Sequence, residues 1–137
     1  MPSRLVQAAL ADPVVRNFIA EGPVTLIAAG KAAEGMLRGF LATSIGPIER
    51  GVAVGPGPGT VAPPSIACYP GGHPLPDRGS LDAGHEALRC ATEMSPSGCL
   101  VVLLSGGASA LLAVPLEGVT LGQKVEATRM LLAAGVP

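Results

Sequence analysis

Residues 24–33 read VTLIAAGKAA, and this stretch indicates the class of fold. Val24–Ala29 is a continuous apolar run without polar alternation, the pattern of a strand covered on both faces in a parallel sheet. Gly30-Lys31 ends the strand, and an amphipathic helix follows at once. Its apolar side chains recur at helical spacing, at Ala33, Met36, Leu37, Phe40 and Leu41. A strand that turns directly into a helix is the unit from which parallel α/β sheets are built.

A second apolar strand is predicted over Cys99–Leu104, and Ser105-Gly106-Gly107-Ala108-Ser109 follows it immediately. In open α/β sheets, ligands bind beyond the carboxyl ends of strands, where loops lead into helices. The corners after the two apolar strands are therefore the candidate binding loops.

Shorter elements complete the predicted order. Helices are predicted over 5–11 and 13–19, strands over 51–54 and 66–68, and a helix from Ser80 to about Met94 with Leu81, Gly84, Leu88 and Ala91 on one face. Thr120 and Gln123 form a capping-box pattern that opens a last helix toward Gly135. This order predicts an α/β fold, a layered domain with a mainly parallel sheet. Because only three or four strands are evident, we expect the sheet to be incomplete.

Composition narrows the possible functions. The chain has 137 residues, 48% of them hydrophobic and 14% charged, with a net charge of −1. This length favours one domain spanning residues 1–137, and the aliphatic content argues against disorder. A near-neutral charge and only three aromatic side chains argue against a nucleic-acid partner. The apolar runs fall short of the roughly 18 residues of a membrane span, and the first twenty residues lack the apolar core of a secretory signal.

Cysteine and histidine usage gives two further expectations. Cys68, Cys90 and Cys99 are odd in number and lack CxxC spacing, which favours a reducing cytoplasm over a disulfide framework. His73 and His85 lie twelve positions apart without a carboxylate cluster, so no protein-built metal site is predicted.

The first candidate corner contains Gly30 and Lys31. It places a lysine at a strand tip and at the start of a helix, where backbone N–H groups already attract anions. No GxxxxGK[ST] spacing precedes it, so it is not a P-loop. A solvated lysine at a helix start is the alternative interpretation.

The second corner offers two glycines, Gly106 and Gly107, with hydroxyls at Ser105 and Ser109. Adjacent glycines let a ligand approach main-chain N–H groups, and the hydroxyls can donate to phosphate or carboxylate oxygens. The alternative is a tight strand-to-helix turn in which Ser105 or Ser109 caps the helix. A nucleophilic serine is disfavoured, because the closing glycine of GxSxG is absent after Ser109.

Two proline-rich stretches are predicted to be loops. Residues 72–77 read GHPLPD, in which His73 and Asp77 are candidate ligand contacts, although Asp77 equally fits a helix cap. His85, inside the next helix, is predicted to be a surface or core residue. Residues 55–59 read GPGPG and superficially resemble a dinucleotide fingerprint. The prolines remove backbone donors and no helix follows at once, so this loop is not predicted to bind phosphate.

Together these pieces resemble the N-terminal part of the class II, or MOFRL-type, glycerate kinases. The resemblance spans about Val24 to Gly135 and is carried by four motifs in the family's order. These are Ala29-Gly30-Lys31-Ala32-Ala33 with Met36, Gly72-His73-Pro74-Leu75-Pro76-Asp77, Leu104 to Leu112, and Thr120-Leu121 with Lys124, Thr128, Leu131 and Leu132. Ala108 stands where the family usually has a third glycine.

The resemblance implies a Rossmann-like layered α/β/α domain and ATP-dependent phosphorylation of D-glycerate at its 2-hydroxyl, in a cleft shared with a C-terminal domain. Lys31 matches the family's catalytic lysine, and Ser105, Gly106, Gly107 and Ser109 would hold anionic oxygens. Mg²⁺ would arrive with ATP, and glycerate and the nucleotide are the expected ligands. Relatives sometimes labelled hydroxypyruvate reductases suggest nicotinamide chemistry, but no GxGxxG strand-turn-helix supports it in this chain.

The chain ends before the family's C-terminal domain, so we expect a fragment that is inactive alone and self-associates through its incomplete sheet. The alternative function is a non-catalytic anion- or nucleotide-binding module.

Overall fold

Four parallel strands form one sheet in the order β3-β2-β1-β4. The strands are β1 Val24–Ala29, β2 Ile48–Gly55, β3 Ile66–Pro70 and β4 Cys99–Leu104 in a computed structural model that describes residues 1–58 and 61–136. Leu26 pairs with Gly51 of β2 on one side and with Val101 of β4 on the other. The predicted parallel α/β sheet is confirmed, and both apolar runs have the predicted bounds.

The direction of strand addition reverses at β1. The chain moves outward from β1 to β2 and β3, and then returns to place β4 on the opposite side of β1. A doubly wound sheet opens a crevice at such a reversal, outside the carboxyl ends of the two central strands. Here those ends are Ala29 and Leu104, which are paired in register.

Helices cover the two faces of the sheet unequally. They are α1 Pro2–Leu10, α2 Pro13–Ala20, α3 Ala33–Leu41, α4 Arg78–Thr92, α5 Ala108–Leu111 and α6 Leu121–Ala133. On one face, α1 to α3 contribute Leu10, Ile19 and Phe40 to a core with Leu26 and Ala28. On the other face, α4 and α5 pack against alternate residues of β1 and β2. None of the helices in the described ranges is long and apolar enough to cross a bilayer.

The buried face of α3 agrees with its predicted apolar stripe, but the predicted face of α4 is wrong. Besides Gly84, the buried residues of α4 are small: Ser80, Ala83, Ala87 and Cys90. Leu88, expected on the inner face, is 54% exposed. Small side chains let the helix backbone lie close to Val52 and Val54 of the sheet, which larger leucines would hold apart.

β4 is the uncovered edge of the sheet. Its residues alternate between buried or half-buried and exposed, and the exposed ones are Leu100, Val102 and Leu104. These three share the face that α4 covers elsewhere in the sheet, because Val102 pairs with Ile27, a residue of the α4-side core. Among the described residues, the sheet is open here, in agreement with the expectation of an incomplete sheet.

Candidate functional site

The two candidate corners form one hydrogen-bonded junction. The Lys31 N–H donates to the Gly106 carbonyl at 2.9 Å, and the Ala32 N–H donates to Ser105 Oγ at 2.9 Å. The Ser105 N–H donates to the Ala29 carbonyl at 3.0 Å. The loops that end β1 and β4 are therefore held against each other at the strand reversal, although more than 70 residues separate them in the chain.

Glycine is required at two points of this junction. Gly30 has φ +122°, and a Cβ there would lie 2.2 Å from Ser105 Oγ. Gly107 has φ +83°, and its Cβ would lie 2.6 Å from His73 Cδ2 and 3.5 Å from Lys31 Cγ. Larger residues at either position would strain the backbone and push the loops apart. Gly107 therefore lies close both to His73, from the loop before α4, and to the Lys31 side chain.

The two serines have different roles, and neither caps α5 as the alternative interpretation required. The N-cap of α5 is Gly107, and no described side chain caps it. Ser105 instead accepts a hydrogen bond from Ala32, the N-cap residue of α3, and so ties β4 to the start of that helix. Ser109 is exposed on α5.

Lys31 is exposed and forms an ion pair with none of the described carboxylates. It lines a cleft of about 220 Å³ at the carboxyl ends of β1, β2 and β3. Tyr69 also lines this cleft, but its side chain packs on the α4 side of the sheet, where burial and the carboxylates of Glu86 and Asp82 raise the pKa of its phenol. Exposure alone would equally suit a solvated lysine, whereas the position of Lys31 beside Gly107 places it at the junction of the two loops.

The glycine- and proline-rich loop after β2 lines this cleft, which sequence reasoning did not anticipate. Gly55, Pro56, Gly57 and Pro58 form its wall opposite Lys31, while Gly59 and Thr60 lie outside the described residues. The prolines that argue against a helix also stiffen the loop. Only the parallel pairing of β2 with β1 brings it to the same edge as Lys31.

Asp77 caps α4. Its carboxylate accepts from the Ser80 N–H at 2.9 Å, and the Ser80 hydroxyl accepts in return from the Asp77 N–H. Burial raises the pKa of the Asp77 carboxyl, but hydrogen bonds from Ser80, Gly72 and Gly79 outweigh it and lower the pKa below its usual value. The capping alternative is confirmed, and direct contact of Asp77 with a ligand stays a prediction. His85 is exposed on α4, as expected for a surface residue.

A second cleft, of about 280 Å³, is lined by His73 and Gly107. Ser109, Lys124 and Thr128 contribute its remaining polar side chains. Lys124 belongs to the family motif quoted above. No local pattern singles it out, because an isolated lysine on a helix carries no signal of function. Within residues 1–58 and 61–136, no three His, Cys, Asp or Glu side chains group to hold a metal ion.

Fold and site define a doubly wound α/β domain whose candidate binding loops meet where β1 and β4 end. The family model described as a domain of unknown function, DUF4147, matches residues 1–137. The chain belongs to this family, which forms the N-terminal domain of the MOFRL-type glycerate 2-kinases.

Curated relatives and solved structures agree with this assignment. The chain is 31% identical over 136 residues to a D-glycerate 2-kinase of Thermotoga maritima, covering 95% of this chain and 32% of the relative. It is 35% identical over 120 residues to a glycerate 2-kinase of Pyrococcus horikoshii, covering 88% of this chain and 27% of the relative. A crystal structure of a Thermotoga maritima glycerate kinase has a TM-score of 0.77 at 28% identity, over 96% of this chain and 32% of that chain. The chain thus spans about a third of the length of these relatives.

Proposed function

We propose that this chain supplies the phosphoryl-binding half of a glycerate 2-kinase, an enzyme that phosphorylates D-glycerate at its 2-hydroxyl with ATP. The observation that carries the proposal is the hydrogen-bonded junction of the β1 and β4 loops, which brings Lys31 next to Gly107 at the strand reversal. The kinase names of the relatives at 31% and 35% identity support the choice of reaction.

Phosphoryl transfer needs little covalent chemistry from the protein, because positioning and charge stabilisation supply most of the acceleration. Lys31 supplies a positive charge beside the oxygens of the phosphoryl group during transfer. The backbone N–H groups of Gly106 and Gly107 donate to the same oxygens. Mg²⁺ would enter on the nucleotide phosphates and neutralise part of their charge.

Ser105 acts in this scheme as a positioning residue. Its Oγ holds the Ala32 N–H and thereby keeps the Lys31 loop closed on Gly106. A misplacement of about 1 Å costs a catalytic group much of its effect, so the bond matters without contacting the substrate.

A non-catalytic module that binds an anion or nucleotide is the second candidate, favoured by Lys31, an exposed cation that forms an ion pair with none of the described carboxylates. Both candidates predict that purified residues 1–137 bind inorganic phosphate but form no 2-phosphoglycerate, so a kinetic test in a complete enzyme is needed to separate them. Measurable turnover by the chain alone would show that these residues hold a whole active site.

The kinase proposal is tested by replacing the matched third of the Thermotoga maritima D-glycerate 2-kinase with this chain. In that chimaera, Lys31→Ala is expected to lower kcat by about 10²-fold or more, the scale for losing one preorganised charge. Lys31→Arg should rescue only in part, because a planar fork replaces a compact ammonium. Arg38→Ala is the matched control, since Arg38 is an exposed cation one helical turn into α3, paired with Glu34.

Steady-state kinetics decide the role of Lys31, with circular dichroism confirming that each variant folds. A kcat for Lys31→Ala within about threefold of the unmodified chimaera, far below the loss expected for a catalytic charge, would make Lys31 a solvated surface residue.

A further inference from the structure

Ser80, in the first turn of α4, has a fully buried hydroxyl whose hydrogen-bonding capacity is completely used. Its Oγ accepts from the Gly72 N–H at 3.0 Å and from the Asp77 N–H at 3.2 Å, and it donates to Asp77 Oδ1 at 3.2 Å. A hydroxyl has one donor and two acceptor lone pairs, so all three are engaged. Gly72 and Asp77 are the two ends of the loop 72–77. One oxygen atom therefore closes this loop at its base, which is more than a helix cap requires.

The ends of the loop depend on this oxygen for their contact. A Cβ at Gly72 would lie 3.0 Å from the Asp77 nitrogen, so the two ends lie directly against each other. The Gly72 N–H also reaches the Asp77 carboxylate, but that carboxylate is itself held by the Ser80 hydroxyl. Without Oγ, the Asp77 N–H loses its acceptor, and a shielded donor without a partner costs free energy. We expect the ends of the loop to separate when the hydroxyl is removed.

The loop 72–77 supports two other loops of the candidate site. One residue before it, the Gly71 N–H donates at 2.9 Å to the carbonyl of Gly55, which lines the Lys31 cleft. Within it, the His73 ring lies against Gly107, where a Cβ would lie 2.6 Å from Cδ2 and 2.8 Å from Nε2. Gly107 has φ +83° and begins α5 without a side-chain cap. The His73 ring is therefore a support for a turn that lacks a cap.

The far end of α5 is tied to the same residue. The Ala113 N–H, just beyond the helix, donates to the Ser80 carbonyl at 3.2 Å. Ser80 thus holds the start of α5 through the loop 72–77 and its end through the backbone.

We propose that Ser80 is a positioning residue for the phosphoryl-binding loop: its hydroxyl keeps the loop 72–77 closed, so that His73 stays against Gly107 and the Gly107 N–H keeps its direction. Ser80 lies behind the site and contacts no ligand, but a displacement of about 1 Å at the binding groups is enough to reduce their effect strongly. That Gly107 binds a phosphoryl group rests on the proposed function. The hold of Ser80 on the loop does not.

The test compares two alanine variants of α4 in NMR spectra of residues 1–137. Ser80→Ala removes the hydroxyl below the loop, and Cys90→Ala, the matched control, removes a thiol that is equally buried near the other end of the helix. The nuclear Overhauser effect between the His73 ring and the Gly107 Hα protons should be lost in Ser80→Ala and kept in Cys90→Ala. Urea unfolding shows how far each variant lowers stability.

Titration with inorganic phosphate gives the functional readout. Ser80→Ala should raise the phosphate Kd by about fivefold or more, the scale of a coupling passed through packed neighbours. Cys90→Ala should leave that Kd within about twofold, because it is remote from the loop. An effect confined to Ser80→Ala reports the position of the loop and not a general loss of stability. If Ser80→Ala does not fold, Ser80→Cys replaces it, since a thiol keeps the side chain but hydrogen-bonds weakly.

An unchanged His73–Gly107 Overhauser effect, or a phosphate Kd within about twofold of the unmodified chain in the folded Ser80 variant, would overturn the proposal. Lys31→Ala separates it from the proposed function. If phosphate binding depends on Ser80 but not on Lys31, the positioning role stands and the proposed function fails. If it depends on Lys31 but not on Ser80, the reverse holds. An unmodified chain without saturable phosphate shifts overturns the positioning role, while the kinetics of Lys31→Ala in the chimaera still decide the proposed function.

Discussion

β1 and β4 are both continuous hydrophobic runs of six residues, VTLIAA and CLVVLL, yet they occupy opposite environments. Every residue of β1 is buried, whereas Leu100, Val102 and Leu104 of β4 are exposed. The difference arises because β1 has a strand on each side and helices on both faces, while β4 ends the sheet. An apolar run therefore predicts a strand that can be buried, but neighbouring elements decide whether it is.

The helices repeat the same comparison. α4 and α6 both open with a capping box, formed by Asp77 with Ser80 and by Thr120 with Gln123. α4 packs on the sheet, whereas none of the described residues of α6 is buried. Local signals start both helices equally well, and tertiary packing makes only one of them part of the core.

The largest expected effect contrasts a leucine of each strand. Leu26→Ala should lower the free energy of unfolding by about 2–5 kcal/mol, because it opens a cavity at a fully buried position. Leu104→Ala, at a position that is 61% exposed, should cost less than about 1 kcal/mol.

Urea unfolding at low protein concentration measures both variants. If Leu26→Ala fails to fold, Ile27→Val gives a milder deletion in β1, expected to cost roughly 0.5–1.5 kcal/mol. Equal losses at the two leucines would contradict the contrast between the strands.

The next effect concerns self-association through β4. An exposed apolar edge strand without charge or proline is a template for pairing with another chain. We expect residues 1–137 to associate in solution, and Leu104→Lys to weaken the association by about tenfold or more, since it places a charge in the apolar contact.

Sedimentation velocity over a concentration series reports this association. Leu88→Lys is the control, because Leu88 is 54% exposed but lies on α4, away from the β4 edge. A chain that stays monomeric throughout, or a Leu88→Lys effect as large as that of Leu104→Lys, would show that the β4 edge does not associate.

The smallest effect compares the two capping boxes. Asp77→Ala should cost about 1 kcal/mol of global stability, the usual value of a lost N-cap, because α4 is part of the core. Thr120→Ala should fray the first turn of α6, with global stability changed by less than about 0.5 kcal/mol. Urea unfolding measures the first and amide hydrogen exchange at Gln123 the second.

The pH dependence of the Asp77 variant has a definite sign. Since the folded-state pKa of Asp77 lies below its ordinary value of 3.8, the carboxylate stabilises the fold at all pH values above 3.8. That contribution is lost as the pH falls through the folded-state pKa. The stability difference between the unmodified chain and Asp77→Ala should therefore be constant near neutral pH and shrink in acid. A difference that grows in acid would contradict the capping role.

Much of the site was predictable as separate pieces. Gly30, Lys31, Gly106 and Gly107 follow apolar strands, and the rule that ligands bind at strand ends singles them out. Their contact was not predictable, because the Lys31 N–H meets the Gly106 carbonyl only when β1 and β4 become neighbours. The position of the loop at Gly55 was likewise not predictable, because it lines the Lys31 cleft only through the pairing of β2 with β1.

What the amino-acid sequence determined by itself was local: the strands β1 and β4, the amphipathic α3, the cap at Asp77 and the α/β order of elements. These depend on periodicity, propensity and capping, which act over a few residues. Tertiary structure alone decided the strand order, the buried face of α4, the exposure of β4 and the gathering of Lys124, Ser109 and His73 around one cleft. Each of these depends on contacts between residues distant in the chain, and no local pattern encodes which surfaces will meet.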